Sequence, residues 1–248
     1  MEEARRLSKE SSVKDKIKYA FWYFVIFSIL GLIIETIFCY VTMGILESRK
    51  GLLIGPFCPI YGVGGAVLIF SLEYFKKDSK RLFIVGFIVG SIVEYALSFI
   101  MEAMYGSRFW DYSHVAFNLN GRICITYSLY WGVLSILLMR GIKPKIDLFI
   151  NKIPCKIKNK LEVVLFIFLI FDLGITIWGI NMYVNRSMNK YLNNIKQGYY
   201  SKELSGFDRF KYLIEDRYFT NERMLFTFPN LRCRDEEGKE IFVRDIVK

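Results

Sequence analysis

LFIVGFIVGSIVEYALSFIMEAMY, residues 82–105, decides the fold. The stretch has no Lys, Arg or His, and its only charges are Glu94 and Glu102. As a helix at about 1.5 Å per residue it is long enough to cross a bilayer core of about 30 Å. Four more apolar runs flank it: Tyr19–Met43, Ile60–Phe75, Ile123–Met139 and Val163–Val184. The chain is 53% hydrophobic and 17% aromatic, more apolar surface than a soluble domain of this length could hide. The expected fold is an all-α integral membrane bundle of about five spans. Residues 1–18 form a cytoplasmic segment, 19–184 the helical domain, and 185–248 a small extracytoplasmic α+β tail.

An ionised carboxylate at the bilayer centre costs about 2.5–3.5 kcal/mol on insertion scales, so such residues are functional candidates by default. Glu35, Glu94, Glu102 and Asp172 all fall inside apolar runs. On the third run Gly86, Gly90, Glu94, Ser98 and Glu102 recur every four residues and form one ridge. Its first half is small-xxx-small, which admits a close neighbour. Asp172, Thr176 and Gly179 share a face of the fifth run, and Ser128, Gly132 and Ser135 a face of the fourth. Both faces fit packing into a bundle.

Lys and Arg set the expected direction. Residues 1–18 carry six, 76–81 four and 140–160 seven, against two each in 44–58 and 105–122. The positive-inside rule makes the first three cytoplasmic, so five spans place the N-terminus inside and the C-terminus outside. Residues 140–160 are read as a loop. The first span is too long for a signal-peptide core, and no small-residue cleavage site follows it. On this reading Glu35, Glu102 and Arg122, the last opening the fourth helix, share the outer half of the membrane, with Glu94 nearer the middle. Glu35 and Glu102 are expected in contact with each other or with Arg122.

Two connecting segments stand out. GPFCPIYG, with Gly55, Pro56, Pro59, Tyr61 and Gly62, is too apolar for an ordinary loop and too broken for a helix. Irregular backbone at membrane depth persists only inside protein or along a cavity, and a packed segment is expected. FWDYSHVAFNLNGRI, residues 109–123, mixes aromatics with Asp111, Asn118, Asn120 and Arg122. Trp110 and Tyr112 suit the membrane interface, Asp111 could pair with Arg122, and the asparagines can brace backbone. The segment reads as a polar lid over an acidic cavity.

Other chemistry is excluded or weak. The five cysteines show no CxxC spacing, and His114 is the single histidine, so no metal site is expected. No Walker loop and no nucleophile elbow occurs in the sequence. The net charge of +10 follows from basic residues at helix ends, so no nucleic-acid partner is expected. No cofactor is expected. Cys58 and Cys124 read as two small hydrophobes rather than a disulfide. In the tail, Ser205 and Asp208 could cap a helix with Phe207, Phe210, Ile214 and Tyr218 on one face. Met224–Arg234 and Lys239–Val247 flank a DEEG turn and suggest a hairpin, with Pro229 interrupting its first arm.

Glu35, then GPFCPIYG, then the run from Gly90 through VEYALS and WDYS to NGRICI at Ile125, and last Asp172, together resemble a bacterial family of membrane proteins, the putative ABC-transporter permeases of the CmpB type. The resemblance covers roughly residues 20–180, and FPNLR (Phe228–Arg232) is similar to the family's tail. It implies a cell-membrane permease partnered by a separate ATPase, or a homo-oligomer. The expected function is therefore a membrane subunit binding a small solute in an outward-facing acidic cavity, rather than an enzyme. Glu35, Glu94, Glu102 and Asp172 would supply charge, Asp111 would flank them, and Asn118, Asn120 and Arg122 would orient the solute. Two rivals stand beside it. One is an intramembrane enzyme acting on lipid or envelope precursors through a Glu acid/base pair. The other is a scaffold whose polar groups only knit helices together.

Overall fold

The computed structural model describes residues 2–105, 110–195, 217–234 and 240–247. In chain order the elements are α1 (Glu2–Met43), α2 (Pro59–Leu72) with a 3-10 turn (Glu73–Phe75), α3 (Ser79–Tyr105), β1 (Asn118–Leu119) and β2 (Ile123–Cys124). Then follow α4 (Ile125–Leu137), a π-helical turn (Leu138–Ile142), α5 (Lys143–Lys152) and α6 (Cys155–Ile195). The tail holds α7 (Asn221–Thr227), β3 (Arg232–Arg234), β4 (Glu240–Phe242) and α8 (Val243–Val247). Of the expected tail helix, Ser205, Phe207, Asp208, Phe210 and Ile214 lie outside the described residues.

Four helical stretches are long and apolar enough to cross a membrane: Val13–Met43, Ser79–Ala103, Ile125–Lys152 and Cys155–Met188. Only 22–28% of an 18-residue apolar window in each is buried within the protein, so most of their apolar surface needs a lipid environment to cover it. The protein is a multi-pass membrane protein. Pro59–Phe75 is a shorter apolar helix, at the lower limit of about 17 residues for a span.

The chain divides into two units, the first Met1–Ile34, Pro56–Leu97 and Asp111–Phe168, the second Glu35–Gly55, Ser98–Trp110 and Leu169–Lys248. In the first, Trp22, Tyr23, Leu68, Ile69, Leu72, Leu82, Leu138, Met139, Ile146 and Ile150 make the core. Close helix approach is built on missing side chains. Gly62 of α2 lies against Ser28 and the Phe24 carbonyl of α1, where a Cβ would collide. Gly86 and Gly90 of α3 lie against Ser135 and Trp131 of α4, so the small half of the ridge admits a neighbour as its spacing predicts. Ser128, Gly132 and Ser135 are the buried face of α4.

Residues 140–160 are not a loop. The π turn runs directly into α5, whose Ile146 and Ile150, one turn apart, are buried. Pro144 sits in the first turn of α5, where its missing donor costs nothing. The chain breaks only at Ile153, extended at ψ 121° ahead of Pro154. The helical form places a polar network at this end. Tyr23 donates to Asp147 (2.5 Å), Tyr19 to Asn151 (2.6 Å) and Trp22 Nε1 to Glu162 (2.7 Å). Lys143 bridges Asp147 at 2.7 Å and Glu73 at 3.3 Å. The mean hydropathy of the first span conceals these aromatic donors, so the network was not expected.

The second unit has its own core of Leu53, Ile180, Tyr183, Phe219, Met224, Phe228, Leu231, Cys233, Val243 and Ile246. The expected hairpin is present, with Arg232 opposite Phe242 and Arg234 opposite Glu240. Its arms are shorter than expected. Met224–Thr227 belongs to α7, which Thr220 caps by accepting from the Arg223 N–H at 3.2 Å. α6 also runs past the expected end of its span, to Ile195.

Candidate functional site

Glu94 is the centre of the first unit's polar cluster. It is 9% exposed. Its Oε1 accepts from the Tyr112 hydroxyl at 2.9 Å, and its Oε2 accepts from Trp131 Nε1 at 2.8 Å. Three elements meet here: α3 brings the carboxylate, α4 the indole, and the 110–124 loop the phenol. Gly90, one turn before Glu94, makes the room that the Trp131 ring fills. Tyr112 stacks on Tyr127 with ring centres 4.6 Å apart. Burial first, then the charge of Glu94, raises the Tyr112 phenol well above its usual range, so it stays protonated and remains a donor.

The loop is a small folded piece. Asn120 and Gly121 have φ of 54° and 68°, and the Arg122 N–H closes on the Leu119 carbonyl at 3.0 Å. This is a β-turn from Leu119 to Arg122 with positive φ at both central residues, the geometry Asn-Gly favours, with Arg122 as the third residue between the paired positions Leu119 and Ile123. It pairs Asn118 with Cys124 and Leu119 with Ile123. Arg122 therefore sits in a hairpin, and the helix begins at Ile125 rather than at Arg122. The NG pair was the available signal for this turn. Asn118 Nδ2 donates to the Val115 carbonyl (2.8 Å), and its Oδ1 accepts from the Gly121 N–H (3.0 Å). Asp111 accepts from the Ser113 N–H at 3.0 Å. Tyr112 N–H donates to the Gly121 carbonyl at 2.7 Å, which fixes the phenol over Glu94. Asn120 donates to the Tyr95 hydroxyl at 3.0 Å, and Arg122, a residue 7% exposed, has its guanidinium carbon 5.7 Å from the Tyr95 ring centre.

Asp172 has a different setting, in the second unit. Its carboxylate is fully buried. It accepts from the Ile54 N–H at 3.0 Å, the Gly55 N–H at 2.7 Å and the Thr176 hydroxyl at 3.4 Å, while Thr176 Oγ1 accepts from the Leu53 N–H at 2.9 Å. The face Asp172–Thr176–Gly179 thus binds backbone, with Gly179 against Phe219. It holds the strand of chain that enters GPFCPIYG.

That segment is mostly packed: Gly55, Phe57 and Cys58 are buried, Pro59 and Tyr61 half-buried, and Pro56 exposed. Pro59 opens α2, and the Cys58 N–H donates to the Ser28 carbonyl at 2.9 Å. Cys58 and Cys124 are free thiols. Glu35 of α1, Glu102 of α3 and Trp110 are half-buried.

The structure brings Glu94, Asn120 and Arg122 to the same loop-covered end of the first unit, with Asn118 and Asp111 shaping the loop. Sequence reasoning missed Trp131 and Tyr95 as members of this cluster, and placed Tyr112 only at the interface. Its polar lid is a braced hairpin. A family model described as "Putative ABC-transporter type IV" matches residues 22–177, which takes in Glu94, the loop and Asp172. No curated protein and no solved structure matches the chain.

Proposed function

The chain belongs to the putative ABC-transporter type IV family, and from that premise we propose that it binds a small cationic solute at Glu94, beneath the 110–124 loop, as the membrane subunit of a transporter. One observation carries the reading. Glu94 is a buried carboxylate in a span with two neutral donors and no cation paired to it among the described residues. A buried carboxylate without a countercharge is costly unless it takes up a proton or a cation. The stacked Tyr112 and Tyr127 rings offer π faces to the same cation. Arg122 and Asn120, held on Tyr95, suit the polar or anionic end of the solute. Asp111, in the same loop, adds to the acidic character of this end in this proposal. The sequence has no nucleotide-binding loop, so the energy would come from a separate ATPase of the kind the family description implies.

Trp131 reports on the site, because its indole donates to Glu94. In nanodiscs, tetramethylammonium, putrescine and arginine are titrated against tryptophan emission. At least one should give a saturable change that Trp131→Phe and Glu94→Gln both lose, with the Gln variant still folded. If Glu94 only anchors Tyr112, none will saturate. That outcome, or saturation persisting in Glu94→Gln, would sink the reading.

A further inference from the structure

The first unit has an open groove where α1, the π turn and α5 meet. Its volume is about 510 Å³, within the range of ligand sites of about 300–1,000 Å³. Ile26 of α1, Leu137 at the end of α4, Ile142 at the end of the π turn, and Ile146 and Phe149 of α5 form its walls. The wide turn produces it. The Lys143 N–H reaches back five residues to the Leu138 carbonyl, and a Cβ on Gly141 would meet nothing within 4 Å. Such π turns recur at functional positions. The groove opens on the Ile125–Lys152 span, on surface that lipid reaches. One charged side chain, the exposed Lys145, lines it.

Charge selects the occupant. Four carboxylates at this end are engaged, Glu73 by Lys76 and Lys143, Asp78 by Arg81, Asp147 by Lys143 and Tyr23, and Glu162 by Trp22 and Lys18, and the exposed Asp15 of α1 does not line the groove. Lys145, Lys152, Lys156, Lys158 and Lys160 have no carboxylate partner among the described residues. A second copy of the chain would bring the same basic surface and be repelled. We propose that this groove is a binding site for an anionic phospholipid, with an acyl chain along the apolar walls and the headgroup phosphate on Lys145. Basic pockets among transmembrane helices on the cytoplasmic side recognise anionic lipid in this way, and this is the end that the Lys/Arg bias assigns to the cytoplasm. The inference does not depend on what Glu94 binds.

The test is native mass spectrometry of the purified protein in mixed detergent with phosphatidylglycerol and phosphatidylcholine. The wild type should retain phosphatidylglycerol in preference. Lys145→Ala, at an exposed position, should lower that preference about fivefold, the equivalent of about 1 kcal/mol per basic residue. Lys158→Ala, which does not line the groove, should leave it unchanged. Gly141→Leu adds a branched side chain at a groove-lining position whose Cβ would meet nothing within 4 Å, and it should reduce retention of both lipids about tenfold. Equal losses in Lys145→Ala and Lys158→Ala would mean a diffuse basic field and overturn the site. So would unaltered retention in Gly141→Leu, or a dimer that this variant breaks while lipid preference stays the same.

Discussion

Asp172→Asn keeps the shape of a buried side chain and removes its charge. The carboxylate takes three donors: the Ile54 and Gly55 N–H groups and the Thr176 hydroxyl. Hydrogen bonds to a charged group contribute about 1.5–3 kcal/mol each. Asparagine has one oxygen, so its amide nitrogen must face one of the backbone N–H groups. One bond is lost and a buried donor is left unmet, which costs about 1–3 kcal/mol. Losing the charge also relieves its desolvation, but the donors remain buried, and breaking one side of a buried polar contact is the destabilising case. The expected net loss is about 2–4 kcal/mol. At about 2–4 °C per kcal/mol for a chain of this size, the unfolding temperature should fall by roughly 4–16 °C. A fluorogenic thiol dye can follow it, because Cys39, Cys58, Cys124 and Cys233 are buried free thiols. Hydrogen exchange at residues 53–55 should speed up in the same variant, and Thr176→Val should give a smaller effect centred on Leu53. An Asp172→Asn protein that melts at the wild-type temperature, with unchanged exchange at 53–55, would refute the backbone-clamp reasoning. It would return Asp172 to the list of solute-binding candidates.

Two further outcomes test the fold. Gly90→Ala would put a Cβ 2.5 Å from Trp131 Cγ, on a ring held by its bond to Glu94, and should destabilise by about 1–3 kcal/mol. Gly64→Ala, whose Cβ would meet Val93 at 3.8 Å, should instead stabilise slightly, by up to about 1 kcal/mol; matching melting temperatures for the two would contradict the α3–α4 packing. For topology, the native Cys233 is buried and cannot report, so Phe226→Cys, at a position 71% exposed, is the better probe. With α2 crossing the membrane, an impermeant maleimide added to intact cells should label the introduced thiol in that variant and spare the exposed Cys155; labelling of Cys155 alone would invert the orientation or remove α2 from the spans.

The spans were legible because their cause is local. A helix satisfies its own backbone bonds, so a long apolar run needs no partner to be recognised as membrane-spanning. The Gly86–Gly90 ridge and the tail hairpin were legible for the same reason, since spacing and a turn sequence lie within one segment. The NG turn was equally local and could have been read. The segment 140–152 misled, because Lys and Arg density marks the end of a span but does not end a helix, and the buried face of Ile146 and Ile150 continued it to Lys152. What Glu94 and Asp172 bind could not be read from their own runs. Both appear there as carboxylates in apolar surroundings at the same apparent cost. Their roles depend on which distant donors the packing brings within hydrogen-bond range: Tyr112 and Trp131 for Glu94, and the amides of Ile54 and Gly55 for Asp172. A carboxylate's need for partners is written in the sequence, but the choice among many equivalent N–H and O–H groups is made only by tertiary contact.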